Sequence, residues 1–449
     1  MDGTPARDYL AEYDAAAHDE KYELVREWMR SEPLPFFAQL RSQRPVLVTP
    51  VTTLVTLFED VRDVLQMPRI FTVDLYKPKM GVTDTEVGYL MAHDDDALHT
   101  REKSIMKGML NRDDLPRVRA LVATSAKEIL DAADGRIELV NEYCRTVPAI
   151  LVQEYFGLDG VDKADLITWS YWNQYDAFYN QPFDFLPPDK VAEIAAGRET
   201  TAKELGAYMT HLMARKLVAV KAQQAKNFLL VFWYWAKGLV GRLLGRKPEP
   251  ANDDIVSRML ATSFAKGVDF GLVRVGTNAG GLLIGAIETT SQAVSQVVEF
   301  FIDHPDLMEK AQRAARSDDV TEFDALVWEA LRFVPIAPYL FRRTSQDYTI
   351  AKGAERETTI PAHTNVLVVT QSAMFDSYAF DNPEAFDPNR NWYHHFNFGF
   401  GSHECLGKYV GKEMIPEMVR QVLLHDVSAD GPIDFKGGPL PEAWEVHWS

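Results

Sequence analysis

The sequence predicts a mostly α-helical fold with small β-sheets, organised as one domain. Three observations carry this expectation. Helical periodicity dominates from about residue 58 to residue 335. Short β-branched runs separated by Gly and Pro take over after residue 338. Neither an internal repeat nor a Gly/Ser-rich linker divides the 449 residues.

The elements follow in order. Residues 1–35 read as a helical lead-in that ends at the pair Pro33 and Pro35. VLVTP and TTLVTLF (46–57) lie on either side of a turn at Pro50 and predict a hairpin. LPRVRALVATSAKEILDAA (115–133) and GLLIGAIETTSQAVSQVVEFFID (281–303) carry apolar residues at helical spacing. DYTI and TTIPAHTNVLVVT read as short strands and turns. A helix then begins near Leu406 and runs through VGKEMIPEMVRQVLLH despite Pro416. VSAD and EVHWS, in the Gly- and Pro-punctuated tail, read as strands.

Bulk properties exclude several classes. A net charge of -18, from 47 basic and 65 acidic residues, argues against nucleic acid as a partner. Two cysteines, Cys144 and Cys405, make neither a disulfide framework nor a four-thiolate metal site, and fit a reducing compartment. The acidic start MDGTPARDYLAEYDAAAHDEKYE is unlike a signal peptide, and no apolar run has the length of a spanning helix, so a cytoplasmic location is expected. One stretch is out of character. Leu205 to Pro248 contains no Asp or Glu, and NFLLVFWYWAKGLVGRLLGRK (227–247) is apolar, aromatic and cationic together. That composition suits either peripheral membrane contact or a helix packed on the body with a basic outer face.

The strongest chemical signal is FNFGFGSHECLGKYVGKE (396–413) around Cys405. A thiolate bound to haem iron pushes electron density onto the metal and favours O–O cleavage. Such a sulfur needs backbone N–H groups turned toward it, and Gly399, Gly401 and Gly407 give the chain that freedom. A helix starting just after Cys405 adds its positive end to the same sulfur. Phe398 is placed to cover the sulfur from the proximal side. A lone cysteine in a Gly-rich turn is otherwise more often a structural residue.

The pattern Phe398-x-x-Gly401-x-x-x-Cys405-x-Gly407 resembles, without a gap, the cysteine-ligand loop of cytochromes P-450. Upstream, Glu329 and Arg332 in VWEALRFVPIAP lie on one helical face and resemble the family's E-x-x-R, with Pro335 following and Arg390 in FDPNR as the matching meander arginine. In GAIETT (285–290), Glu288 and Thr289 resemble the family's acid–threonine pair above the haem; Ala286 stands where Gly is commoner. The resemblance implies that this pair holds water and relays protons to bound dioxygen. DDDALHTREKSIMKG resembles the helix carrying H-x-x-x-R: His99 matches, and Lys103 replaces the usual Arg. Arg342, with Arg343 adjacent, and His403 complete the expected propionate contacts. The resemblance covers roughly residues 35 to 430 and is specific from 280 onward.

What it implies is a triangular single domain (1–449) of the P-450 fold, holding haem b without covalent attachment, since no C-x-x-C-H occurs. Cys405 is the metal ligand. Glu288 and Thr289 are the catalytic residues. His99, Lys103, Arg342, Phe398, Gly399, His403 and Gly407 accompany Cys405 in binding the cofactor. The implied reaction is insertion of one oxygen atom of O2 into a small apolar substrate, with electrons from a ferredoxin or flavodoxin and its NAD(P)H reductase. Arg101, Lys103, Lys107, Lys408 and Lys412 are the expected basic patch for that acidic donor. A haem-thiolate peroxygenase or rearrangement enzyme on the same fold, and a non-catalytic haem sensor, stand as alternatives.

Overall fold

The computed structural model describes residues 7–84, 86–236 and 253–448, with the side chains of 227–236 outside that description. The chain opens with α1 (Tyr9–Ala15), α2 (Lys21–Ser31) and α3 (Pro33–Gln43). The proline pair expected to end the lead-in instead begins α3. Pro33 sits in its first turn, where the helix needs no N–H from it. Tyr9, Trp28 and Phe36 pack ring against ring and tie these helices together.

Next come β1 (Val46–Val48), β2 (Thr52–Val55), α4 (Phe58–Gln66) and β3 (Phe71–Thr72). The helical half holds α5 (Ala97–Met109), α6 (Leu115–Ala132), the strand β4 (Arg136–Glu138), α7 (Thr146–Leu151) and α8 (Lys163–Tyr179). It continues with α9 (Pro188–Ala236), α10 (Ile255–Ser263), α11 (Leu272–Asp303), α12 (Pro305–Ala315) and α13 (Thr321–Phe333). Wider π-helical turns at Leu139–Cys144 and Val152–Phe156 flank α7. The last part holds β5 (Leu340–Thr344), β6 (Tyr348–Ile350), β7 (Thr358–Ile360), β8 (Asn365–Val368) and α14 (Thr370–Ala373). It ends with α15 (Lys408–Leu423), β9 (Val427–Ala429) and β10 (Glu445–Trp448).

The hairpin expected at 46–57 is β1–β2, paired Val46 with Val55. It joins a five-stranded sheet of order β1-β2-β8-β5-β3, in which β2 and β8 run parallel and the other pairs antiparallel. Small sheets β4-β10-β9 and β6-β7 complete the β portion. The tail strands expected from VSAD and EVHWS are β9 and β10.

Helix α11 is the axis of the helical part. It packs against α8, α15, α13, α10, α9, α12 and α7. Apolar residues such as Leu283, Ile287, Val294, Val297 and Phe301 recur at helical spacing and are fully buried. The helix stops at His304, whose φ of -126° and ψ of 78° are non-helical, as the following Pro305 disfavours the helical conformation there. Helix α15 runs on through Pro416, giving up one ladder hydrogen bond within a well-buried helix. Among the described residues no helix is long and apolar enough to cross a membrane. In the 227–247 stretch, the backbone of 227–236 continues α9. Its side chains, and all of 237–247, lie outside the described residues.

Candidate active site around Cys405

The loop before α15 is held by its own backbone. Gly399 N–H donates to Phe396 O and Cys405 N–H to Phe398 O, both at 2.8 Å, and Glu404 N–H donates to Gly401 O at 3.1 Å. Gly399 and Gly401 have φ of +69° and +74°, which a side-chain-bearing residue adopts only with strain. At Gly401 there is a second constraint: a Cβ would lie 2.5 Å from the carbonyl oxygen of Leu65, at the end of α4. Gly411 leaves room for Phe398, whose ring edge lies 3.0 Å from where a Cβ would be. Trp328 and Trp392 complete the seat of that ring, with centroids at 5.5 and 6.1 Å.

Cys405 is exposed, whereas Cys144 is buried. The Cys405 thiol nevertheless lies away from bulk water, and this loss of hydration pushes its pKa up. The Gly407 N–H, Lys103 and Lys408 oppose that rise. Gly407 is also the N-cap of α15, so the sulfur stands at a helix N-terminus.

Helix α11 presents an opening at Gly285. Gly285 is exposed although most neighbours on its helix are buried, and open space surrounds the position of its missing Cβ. Thr289 Oγ donates to Gly285 O at 2.7 Å. Tyr89 lies close to both α11 and Cys405. Its ring occupies the notch left by Gly281, where a Cβ would lie 2.1 Å away, and it is close enough to Cys405 for the thiolate charge to raise the phenol pKa, after burial.

Glu288 is 1% exposed and faces Arg145. The guanidinium donates from Nε at 3.1 Å and from Nη2 at 3.0 Å, so the contact is bidentate. Arg145 is held in turn by Asn141 Oδ1, the Pro441 carbonyl, the Tyr171 ring and Glu442 at 3.7 Å. Burial raises the Glu288 pKa, and Arg145 pulls it back.

The expected propionate cations gather on the Cys405 side. The rings of His99 and His403 stack at 4.6 Å. Both ring nitrogens of His99, and Nε2 of His403, are buried without a hydrogen-bond partner among the described residues. Burial lowers both pKa values, His99 to about 4. Arg342 is 5% exposed, donates to the Phe341 carbonyl at 2.8 Å, and forms no ion pair among the described residues. Buried polar atoms are nearly always satisfied and buried charges compensated. A haem, whose two carboxylates would meet these cationic and N–H-bearing groups, fits the residues present.

Lys103 behaves differently. It is 6% exposed, and its ammonium donates to the carbonyls of Ser402 and, at 2.7 Å, Glu404, inside the cysteine loop. This corrects its placement in the surface basic patch: a side chain of this burial is not presented to a partner. Of the other four cations, Arg101 pairs with Asp269 at 2.6 Å and Lys408 with Glu404 at 2.6 Å. Lys412 lies over the Trp392 ring at 4.0 Å, and Lys107 is exposed.

Glu329 and Arg332 form the expected buried pair at 2.7 Å, and Arg390 joins it from the meander at 3.1 Å. Arg332 also donates to the carbonyls of Met374, Pro383 and Ala385, which fixes the path of the chain toward Cys405. Sequence reasoning missed three residues. Arg145 lies in a stretch with no motif. Tyr89 is paired with Gly281 only by tertiary packing. Glu102, fully buried, receives Arg274 at 2.6 and 2.7 Å and Asn278 at 2.7 Å, tying α5 to α11. Its only sequence signal was an acid on the inner face of α5.

The family model described as Cytochrome P450 matches residues 245–425. Cytochrome P450 monooxygenase PikC of Streptomyces venezuelae is 27% identical over 391 residues, covering 84% of this chain and 80% of the relative. Vitamin D(3) 25-hydroxylase of Pseudonocardia autotrophica is 24% identical over 406 residues, covering 88% and 86%. The fold is that of the cytochrome P450 CYP109Q5 structure from Chondromyces apiculatus, with TM-score 0.71 at 20% identity over 94% of this chain and 96% of that one. The cysteine loop and these likenesses agree: the chain is similar to cytochrome P450 monooxygenases over most of its length, and its fold is theirs.

Proposed function

We propose that residues 1–449 form a single P450 domain that binds haem b and inserts one atom of O2 into a small apolar substrate. The observation that carries this reading is the buried set of His99, His403 and Arg342 gathered beside the Cys405 loop with no ion pair to a carboxylate among the described residues. Cys405 would ligate the haem iron, and His99, Arg342 and His403 would hold the propionates. Phe398, Gly399 and Gly407 shape the sulfur's surroundings. When bound, the haem supplies the reductive activation of dioxygen.

The chain's own residues manage position and protons. Thr289 spends its hydroxyl proton on the Gly285 carbonyl, so its lone pairs are left to accept a hydrogen bond from water. Glu288, next in sequence, has a raised proton affinity and stays restrained by Arg145. It serves as the reservoir from which water held by Thr289 is re-protonated. Leu282, one turn before Gly285 on the same face of α11, supports an apolar wall, and a relative is named for vitamin D(3), a molecule of that character.

The electron donor is an acidic ferredoxin or flavodoxin, drawn by Arg101, Lys107, Lys408 and Lys412, with its NAD(P)H reductase. The location is cytoplasmic, and the apolar, cationic composition of 227–247 supports either peripheral membrane contact or a helix packed on the body with a basic outer face.

Titrating the ferric protein with apolar ligands tests the reading, the expected response being a low-spin to high-spin shift as a ligand displaces water. Product from the best ligand should form with a ferredoxin system and carry oxygen from labelled O2. Equal turnover with hydrogen peroxide alone would instead support the peroxygenase alternative.

A further inference from the structure

We propose that Lys103 is a positioning residue for the Cys405 ligand, acting through the loop backbone rather than on a haem propionate. This rests on the reading of Cys405 as the haem ligand.

An ammonium has three protons to donate. Lys103 directs its donors to the carbonyls of Ser402 and Glu404. The Glu404 carbonyl belongs to the peptide whose N–H is that of Cys405. A cation on that oxygen polarises the whole peptide and strengthens the Cys405 N–H donation to Phe398 O, the 2.8 Å bond that closes the loop. The same ammonium adds positive charge near the sulfur. These carbonyls are turned inward at a side chain 6% exposed, so water does not substitute easily. A third contact sits close by: Lys408 bridges to the Glu404 carboxylate at 2.6 Å, so Glu404 is held through its carbonyl and through its side chain. The propionate role falls to His99, His403 and Arg342, which keep unspent donors.

The test compares wild type with Lys103→Met, which keeps the length and removes the charge. Two quantities are read on the haem-loaded proteins: the ferrous carbon monoxide spectrum, and the rate at which haem passes to an excess of apomyoglobin. The loop role predicts that the far-red thiolate band converts to the blue-shifted band of a neutral ligand roughly tenfold faster or more, the scale of losing hydrogen bonds to a charged group. It also predicts haem transfer within about twofold of wild type, because the propionate donors remain. A variant with faster haem transfer and an unchanged thiolate band would overturn the proposal in favour of a propionate contact. A variant identical to wild type in both quantities would also overturn it. If Lys103→Met fails to take up haem, Lys103→Arg serves, since it keeps the charge but misplaces it. Heating should then abolish the thiolate band before haem is released, and simultaneous loss would count against the loop role. A wild type with no thiolate band would reject the Cys405 reading itself, a separate outcome.

Discussion

Arg145 grips both carboxylate oxygens of Glu288 from the junction of a π-helical turn and α7, and both side chains are at most 5% exposed. Removing one partner strands the other in a buried site. Arg145→Met is expected to cost about 3–5 kcal/mol in urea unfolding. It should also raise the proton affinity of Glu288 further, because only burial then acts on it. A raised carboxyl favours the folded state at low pH and loses that advantage as pH rises through the folded pKa. The variant should therefore lose more stability, relative to wild type, at pH 8 than at pH 5. Equal losses at both pH values would show that Glu288 is not the group left behind.

Thr289→Ala removes the hydroxyl held against Gly285 O without disturbing a buried contact. Product formed per electron supplied should fall by about tenfold or more, toward the range typical of a lost proton-transfer residue. Substrate binding, read by the spin shift, should stay within about twofold. Unchanged coupling would remove Thr289 from the proton path.

Gly401→Ala meets two obstacles at once, a φ of +74° and the Leu65 carbonyl at 2.5 Å. Backbone strain and overpacking together should cost about 2–5 kcal/mol. Gly431→Ala, with open space around it, is the control and should cost less than about 1 kcal/mol.

Acid sensitivity follows from buried imidazoles. Burial lowers His99 from 6.5 to about 4 and His395 to about 3. Between those values and 6.5 the unfolded chain binds protons that the folded chain refuses, so stability rises with pH across that window. The haem-free protein should lose stability progressively as pH falls from 6.5 toward 4. His395→Gln should flatten part of that slope. Identical slopes in variant and wild type would place the acid sensitivity elsewhere.

Much of the fold was legible because its signals are local. The hairpin at 46–57, the helices at 115–133 and 281–303 and the strands after 338 rest on periodicity and turn residues, and each stands where expected. The start of α3 was misread because a proline pair punctuates equally well before a helix and after one. Within the site, the cysteine loop and the Glu329–Arg332 pair are contiguous or close in sequence, so spacing revealed them. Arg145, Tyr89 and Glu102 reach their partners across 143, 192 and 172 residues, and nothing local marks them. Lys103 was legible as a cation beside Cys405, but its true acceptors are main-chain carbonyls, which no side-chain pattern reports.

Whether the Cys405 sulfur binds the iron is decided by the ferrous carbon monoxide spectrum of the haem-loaded protein. Wild type should give the far-red Soret band of a thiolate complex, and Cys405→Ser should abolish it, while Cys144→Ser, altering the buried cysteine, should leave it intact. A wild-type band in the neutral-ligand position, or a thiolate band that survives in Cys405→Ser, would rule out Cys405 as the iron ligand.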